Sequence, residues 1–364
     1  MTFGTWCRTL RANRFGLSWR YRSRALRVSV RSLLNSCYAR REERAFGADI
    51  DAVKPPTPLF VLGHWRSGTT FLKNLMTCDP QFAFPTLYEV LFPDTFLLTE
   101  DRRGGLARWL VPRLRDTRGI DDMAMGYQVP GEDEFALACT SRCSPYLMWC
   151  FPKNERRYEQ YLTFEGVPEA DLSRWKAAFV RFVKKLALRH GLNAESPSPR
   201  SLVLKSPPHT ARIRLLLDLF PEARFVHVHR HPYEVFHSTR RTQHVMTEAG
   251  RFQKGRGPEE DAGIIRRYQA LHEAYFEQRG LIASGRLYEV SLNDLERDPA
   301  AQIRAIYETL GLGGLDQALP AVREHVASLA GYRKRTYPEL SADLKDRLRV
   351  AWRQSFETWG YSSA

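Results

Sequence analysis

PLFVLG (58–63) runs straight into GHWRSGTT (63–70), and this stretch decides the fold. The apolar run is short and ends in Gly63, the pattern of a buried strand. KPPTP (54–58) before it reads as a boundary, because prolines block helix continuation and favour extended chain. After the strand, Gly63 and Gly68 bracket four residues, as in the G-x-x-x-x-G-K-[ST] loop. In such a loop a nest of backbone N–H groups and a helix N-terminus hold phosphate oxygens. Ser67, Thr69 and Thr70 add hydroxyls. A nucleoside-triphosphate enzyme carries Lys at the position of Thr69; here Arg66, inside the loop, supplies the cation instead.

Working outward, three further strands are expected at SLVLKS (201–206), RFVHVHR (224–230) and RLYEVS (286–291). Helical patterns separate them. Trp175, Phe179, Phe182, Val183 and Leu186 share one face of 174–186, and Ile213, Leu216, Leu217 and Phe220 share one face of 210–220, which Pro221 ends. Another helix starts near Pro232, and 320–359 is helical with an interruption around Gly331 to Pro338. Residues 247–262, rich in glycine and charge, are expected to form a mobile surface loop. Strands alternating with helices define an α/β fold with a mainly parallel sheet flanked by helices. Ligands of such sheets sit beyond the carboxyl ends of the strands. Three of the four strands end there in GHWRSGTT, KSPPH and HRHP, which brings Arg66, Lys205 and Arg230 toward one edge. Arg230 can bind a phosphate bidentately, with the Ser238 hydroxyl eight residues on. Neither neighbouring strand offers the Asp that helps kinases hold Mg²⁺, so the pattern points to a phosphate-bearing donor handled without metal.

The chain has 364 residues, 43% hydrophobic and 12% aromatic, enough for a substantial core and too apolar for wholesale disorder. The expected organisation is a basic amphipathic arm over 1–54 and a single domain over 55–364. The net charge is +14, but residues 1–45 hold eleven Arg against Glu42 and Glu43, a net +9. The rest of the chain is only mildly basic, which argues against nucleic acid as a partner. Cys7, Cys37, Cys78, Cys139, Cys143 and Cys150 have no zinc spacing and read as buried, reduced thiols of a cytoplasmic protein. Neither a membrane span nor the apolar block of a signal peptide is visible.

In the arm, Leu26, Val30, Leu33, Leu34 and Cys37 recur at helical spacing, with Arg24, Arg27 and Arg31 elsewhere on the helix. Trp6, Phe15 and Trp19 precede them. Three readings stay open: a helix lying on an anionic membrane surface, a helix packed on the rest of the chain, and a transit peptide.

Together the motifs resemble those of the sulfotransferases that use 3′-phosphoadenosine-5′-phosphosulfate (PAPS), in particular the bacterial type. GHWRSGTT is similar to that family's loop for the 5′-phosphosulfate, which implies donor contacts from Arg66, Ser67, Gly68, Thr69 and Thr70. VHRHPYEVFHS (228–238) matches its R-x-P-x5-S signature for the 3′-phosphate at Arg230, Pro232 and Ser238. LVLKSPPHT (202–210) resembles its strand with a catalytic-site lysine, here Lys205, and EVSLNDLERDPAAQIRAIYETLGL (289–312) is similar to a later segment. YRKRTYP (332–338) falls where the family places a basic loop over the 3′-phosphate, implying Arg333 and Lys334.

The resemblance implies a P-loop-kinase-like sulfotransferase fold, PAPS as co-substrate, no metal, and transfer to an acceptor hydroxyl or amine. The alternative enzyme is a small-molecule kinase with a degenerate loop; a basic membrane- or nucleic-acid-binding protein would leave Arg66, Lys205 and Arg230 unexplained. For the general base, His209 competes with the cluster Glu132, Asp133, Glu134, with Glu89 as a third choice. The acceptor, whether lipid, glycan or small molecule, is not legible. The aromatics of 146–164 (Tyr146, Trp149, Phe151, Tyr158, Tyr161, Phe164) suit a pocket wall or a core equally. His227, His229 and His231 read as packing.

Overall fold

The computed structural model describes residues 1–100, 126–192, 201–254, 260–329 and 338–363. They form two compact units. One comprises Met1–Pro56, Phe84–Pro199 and His244–Arg256; the other comprises Thr57–Ala83, Arg200–Gln243 and Gly257–Ala364. The first crossing from one to the other falls within KPPTP.

The first unit is helical. Helix α1 (Phe3–Ala12) packs on α2 (Arg22–Ala52), and α2 packs in turn on Phe96–Thr99 and on the long helix Glu169–His190. As the sequence predicts, Trp175, Phe179, Phe182, Val183 and Leu186 of that long helix are buried. Helix α2 behaves differently. Its inward face is Ala25, Ser32, Asn35 and Glu42, while Leu26, Val30, Leu33 and Cys37 face solvent. Polar pairing explains the inversion. Glu42 pairs with buried Lys185 and accepts the Leu98 N–H at 3.0 Å, and Asn35 meets Thr95 at 3.2 Å. The aromatics of 146–164 are core residues here: Tyr146, Phe151, Tyr158, Tyr161 and Phe164 are buried, with Phe164 5.0 Å from Trp175.

Two expectations need correcting in this unit. Residues 247–254 are not a free loop: the helix Pro232–Gly250 continues to Gly250, and Phe252 is then buried, stacked at 5.4 Å on Phe151. One aromatic anchor outweighs the surrounding glycine and charge. The thiols also differ from their expected burial, since only Cys143 is fully buried and Cys37 is exposed.

The second unit holds a five-stranded parallel sheet: β1 (Pro58–Leu62), β2 (Phe82–Ala83), β3 (Ser201–Lys205), β4 (Arg224–His229) and β5 (Leu287–Ser291), ordered β2-β3-β1-β4-β5. The four expected strands are present. β2 escapes a sequence reading because two residues carry no period. Every residue of β1 is buried, as a central strand covered on both faces requires. Leu59 and Val61 point to a core with Leu72, Met76, Val226, Val290 and Ile306, and Phe60 points the other way, onto Phe225 and Phe220. The chain runs from β1 toward the β2–β3 side and later to the β4–β5 side, so the order reverses about β1. A crevice at such a reversal is where α/β sheets bind ligands.

Candidate active site

The loop after β1 sits at that reversal, and its shape rests on two glycines. Gly63 has φ 138°, and a Cβ there would lie 2.5 Å from the Val228 carbonyl oxygen of β4. Gly68 has φ 106°, and a Cβ there would lie 2.5 Å from Leu292 Cδ1. Between them Ser67 turns back, its N–H and hydroxyl both donating to the His64 carbonyl at 3.1 and 2.8 Å. Arg66 occupies the left-handed region at φ 70°. Helix α3 (Thr69–Met76) starts at once after Gly68, so its N-terminal N–H groups face the loop.

His64 is buried against Tyr268 and His272, at ring distances of 4.9 and 5.8 Å. Burial pushes its pKa down to about 3. Its Nδ1 donates to the Trp65 carbonyl at 2.8 Å, because a carbonyl can only accept. The loop is thus rooted on a neutral imidazole.

The other strand ends close on this loop. Arg66 Nε donates to Ser238 Oγ at 2.8 Å, and Arg230 Nη1 donates to the Arg66 carbonyl at 3.3 Å. Arg230 Nε pairs with Glu234 one turn on, at 2.6 Å. From the other side Lys205, paired in register with Val61 and 2% exposed, brings Nζ to 3.4 Å from Thr70 Oγ1. Thr210 Oγ1 accepts the Gly63 N–H at 2.7 Å. One edge of the sheet therefore assembles Arg66, Ser67, Gly68, Thr69, Thr70, Lys205, Arg230 and Ser238. Three cations, a helix N-terminus and several hydroxyls converge there, and such a set suits a polyanion whose charge is split between two groups.

The base candidates divide. His209 lies in the same unit but is fully buried, edge-on to Phe60 at 5.4 Å, on the sheet face opposite α3. Glu132, Asp133 and Glu134 open the helix Asp133–Thr140 of the other unit. Asp133 and Glu134 are fully buried there, whereas Glu132 is partly exposed and accepts from the Tyr146 hydroxyl. Glu89 caps its own short helix, accepting the Thr86 N–H at 2.6 Å. Arg333 and Lys334 lie outside the described residues.

The strand histidines pack as expected: His227 stacks on Tyr275 at 4.1 Å and His229 on Trp359 at 4.6 Å. Among the described residues no group of His, Cys, Asp or Glu is placed to hold a metal ion. Sequence reasoning missed Thr210, Glu234 and His64. Glu234 carries a signal in its i, i+4 spacing from Arg230; the other two matter only through partners far along the chain.

A glycine-bracketed anion loop at the reversal of a parallel sheet, cationic from Arg66 rather than from a lysine at 69, defines a group-transfer enzyme of phosphate-loop type. The model of the family described as "Sulfotransferase family" matches residues 58–316. This chain belongs to the sulfotransferase family and is an enzyme that transfers a sulfuryl group. It is 32% identical over 367 aligned residues, 99% of this chain and 89% of the relative, to the omega-hydroxy-beta-dihydromenaquinone-9 sulfotransferase Stf3 of Mycobacterium bovis, and equally to that of Mycobacterium tuberculosis. Among solved structures, sulfotransferase STF9 of Mycobacterium avium superposes with a TM-score of 0.72 at 18% identity, covering 94% of this chain and 86% of that one. Sulfotransferase STF1 of Mycobacterium tuberculosis superposes at 0.61 and 19%, covering 93% and 87%. Both show the shared fold.

Proposed function

We propose that the chain moves the sulfuryl group of PAPS to the hydroxyl of a lipid with a long prenyl chain. The observation that carries the donor half is the 2.8 Å bond from Arg66 to Ser238, which joins the loop after β1 to the motif after β4 in one anion site. A nucleotide with a 5′-phosphosulfate and a 3′-phosphate has the two separated charges that such a joined site fits. The loop N–H groups, Thr69 and Thr70 hold the phosphosulfate, while Arg230 and Ser238 hold the 3′-phosphate.

In the transfer the acceptor oxygen bonds to sulfur as the bond from sulfur to the 5′-phosphate oxygen breaks. Arg66 and Lys205 neutralise charge on the sulfonate and on the leaving bisphosphate. Buried Lys205 and partly exposed Arg66 supply the positive charge that this step needs. The acceptor proton goes to a base drawn from His209, Glu132 and Asp133. A pH–rate profile of His209→Ala, Glu132→Gln and Asp133→Asn identifies it as the variant that loses the acid limb, where the wild-type rate falls as the base takes up a proton.

The acceptor half rests on the name of the Stf3 relatives, which act on a hydroxylated menaquinone. An acceptor of that class resides in a bilayer, and no helix among the described residues is long and apolar enough to cross one. A peripheral contact from the cytoplasmic side, where six unpaired cysteines stay reduced, suits both facts. Thermal shift tests the donor: adenosine-3′,5′-bisphosphate stabilises the protein without metal, and a preference for ATP–Mg²⁺ would overturn the reading.

A further inference from the structure

The helical unit displays an apolar surface that its own packing leaves uncovered. Leu26, Val30 and Leu33 are 66%, 52% and 50% exposed at i, i+4 and i+7, one stripe of α2. In the turn between α1 and α2, Phe15 is 63% and Trp19 79% exposed. Arg14 and Phe15 hold left-handed backbone, at φ 51° and 53°, in the turn that directs Phe15 outward. Tyr21 and Trp6 from the same segment are buried, so the segment sorts its aromatics into inward and outward sets.

The charge around these groups identifies the occupant. Arg14, Arg20, Arg22 and Arg27 are exposed along these apolar groups, and Arg22 lies 4.9 Å over the Trp19 ring. Of the two acids in 1–45, Glu42 is buried against Lys185 and Glu43 pairs with Arg181. The exposed face is thus apolar and cationic with almost no negative charge. Two copies of it would set Arg14, Arg20, Arg22 and Arg27 against the same four cations, so self-association is opposed. An anionic bilayer matches both halves: arginines at the headgroups, Trp19 at the interface, and leucines just below.

We propose that Phe15, Trp19, Leu26, Val30 and Leu33, with the surrounding arginines, form a docking surface for anionic membrane. It rests on the lipid-acceptor reading for its purpose but not for its geometry. Vesicles that contain no prenyl acceptor therefore test it separately from that reading.

The experiment is co-sedimentation of the full chain with vesicles of phosphatidylglycerol and phosphatidylcholine, against phosphatidylcholine alone. The chain pellets with the mixed vesicles, less so as salt rises. A Trp19→Ser/Leu26→Ser/Leu33→Ser variant, whose changes are all exposed and leave the melting temperature in place, partitions about tenfold or more weakly. Arg20→Ala/Arg27→Ala lowers binding to the anionic vesicles and weakens its salt dependence. The surface is refuted if the wild type stays in the supernatant, or if the serine variant binds as well as the wild type. It is also refuted if light scattering finds a wild-type dimer that the serine changes make monomeric, for the face would then be a protein interface.

Discussion

The Thr210 hydroxyl accepts the backbone N–H of Gly63 at 2.7 Å, tying the turn after β3 to the first residue of the anion loop. Both residues are buried, so no water can replace the bond. Thr210→Val keeps the shape and removes the acceptor. The variant should lose about 1–3 kcal/mol by thermal melting and bind adenosine-3′,5′-bisphosphate more weakly. An unchanged melting temperature would show that the loop holds itself.

The two loop glycines should differ in tolerance. Gly63→Ala sets a methyl against the Val228 carbonyl, which cannot move without parting β1 from β4. Gly68→Ala meets only the end of the Leu292 side chain. Both also strain a positive φ, at about 1–3 kcal/mol. Gly63→Ala should therefore prevent soluble expression or destabilise the protein more, and Leu292→Ala should partly rescue Gly68→Ala alone. Equal melting temperatures of the two single variants would contradict this.

Arg66→Ala and Lys205→Ala should each lower turnover by about a hundredfold or more, the scale of losing one preorganised donor to developing charge. Ser238→Ala should act mainly on the KM for PAPS, since Ser238 accepts from Arg66 and belongs to the proposed 3′-phosphate grip. Near-normal kcat in both cation variants would remove them from the chemistry.

Acid should destabilise the sheet unit through its histidines. Burial holds His64 down to about 3 and His229 to about 4, and pushes His227 and His272 well below 6.5. Below pH 6.5 or so the unfolded chain binds protons that the folded chain refuses, so stability falls as pH falls toward the folded values. Each group contributes a slope of roughly 1 kcal/mol per pH unit in that window, and above it these groups add no pH dependence. Melting curves between about pH 8 and 5 should show the decline, with a shallower slope for His229→Gln. A flat profile would mean the ring stack takes up protons while folded.

Four strands and the anion loop are legible in the chain because each is local. An apolar run ended by Gly63, and the short spans from Gly63 to Gly68 and from Arg230 to Ser238, need only neighbouring residues to state their geometry. The long helix over 174–186 is equally plain, since its apolar stripe and its buried face coincide. What the chain alone determined, then, is a parallel α/β sheet with its phosphate-binding motifs at strand ends. Tertiary structure decided everything that depends on a distant partner. Leu26, Val30 and Leu33 mark the periodic face of α2, yet Glu42 and Asn35 turn inward because Lys185 and Thr95 wait there to satisfy them. Thr210 gains its part from Gly63, and Phe252 anchors a stretch that glycine and charge would leave loose. A buried polar group must find its partner wherever the fold puts it, and no period in the sequence announces where that is.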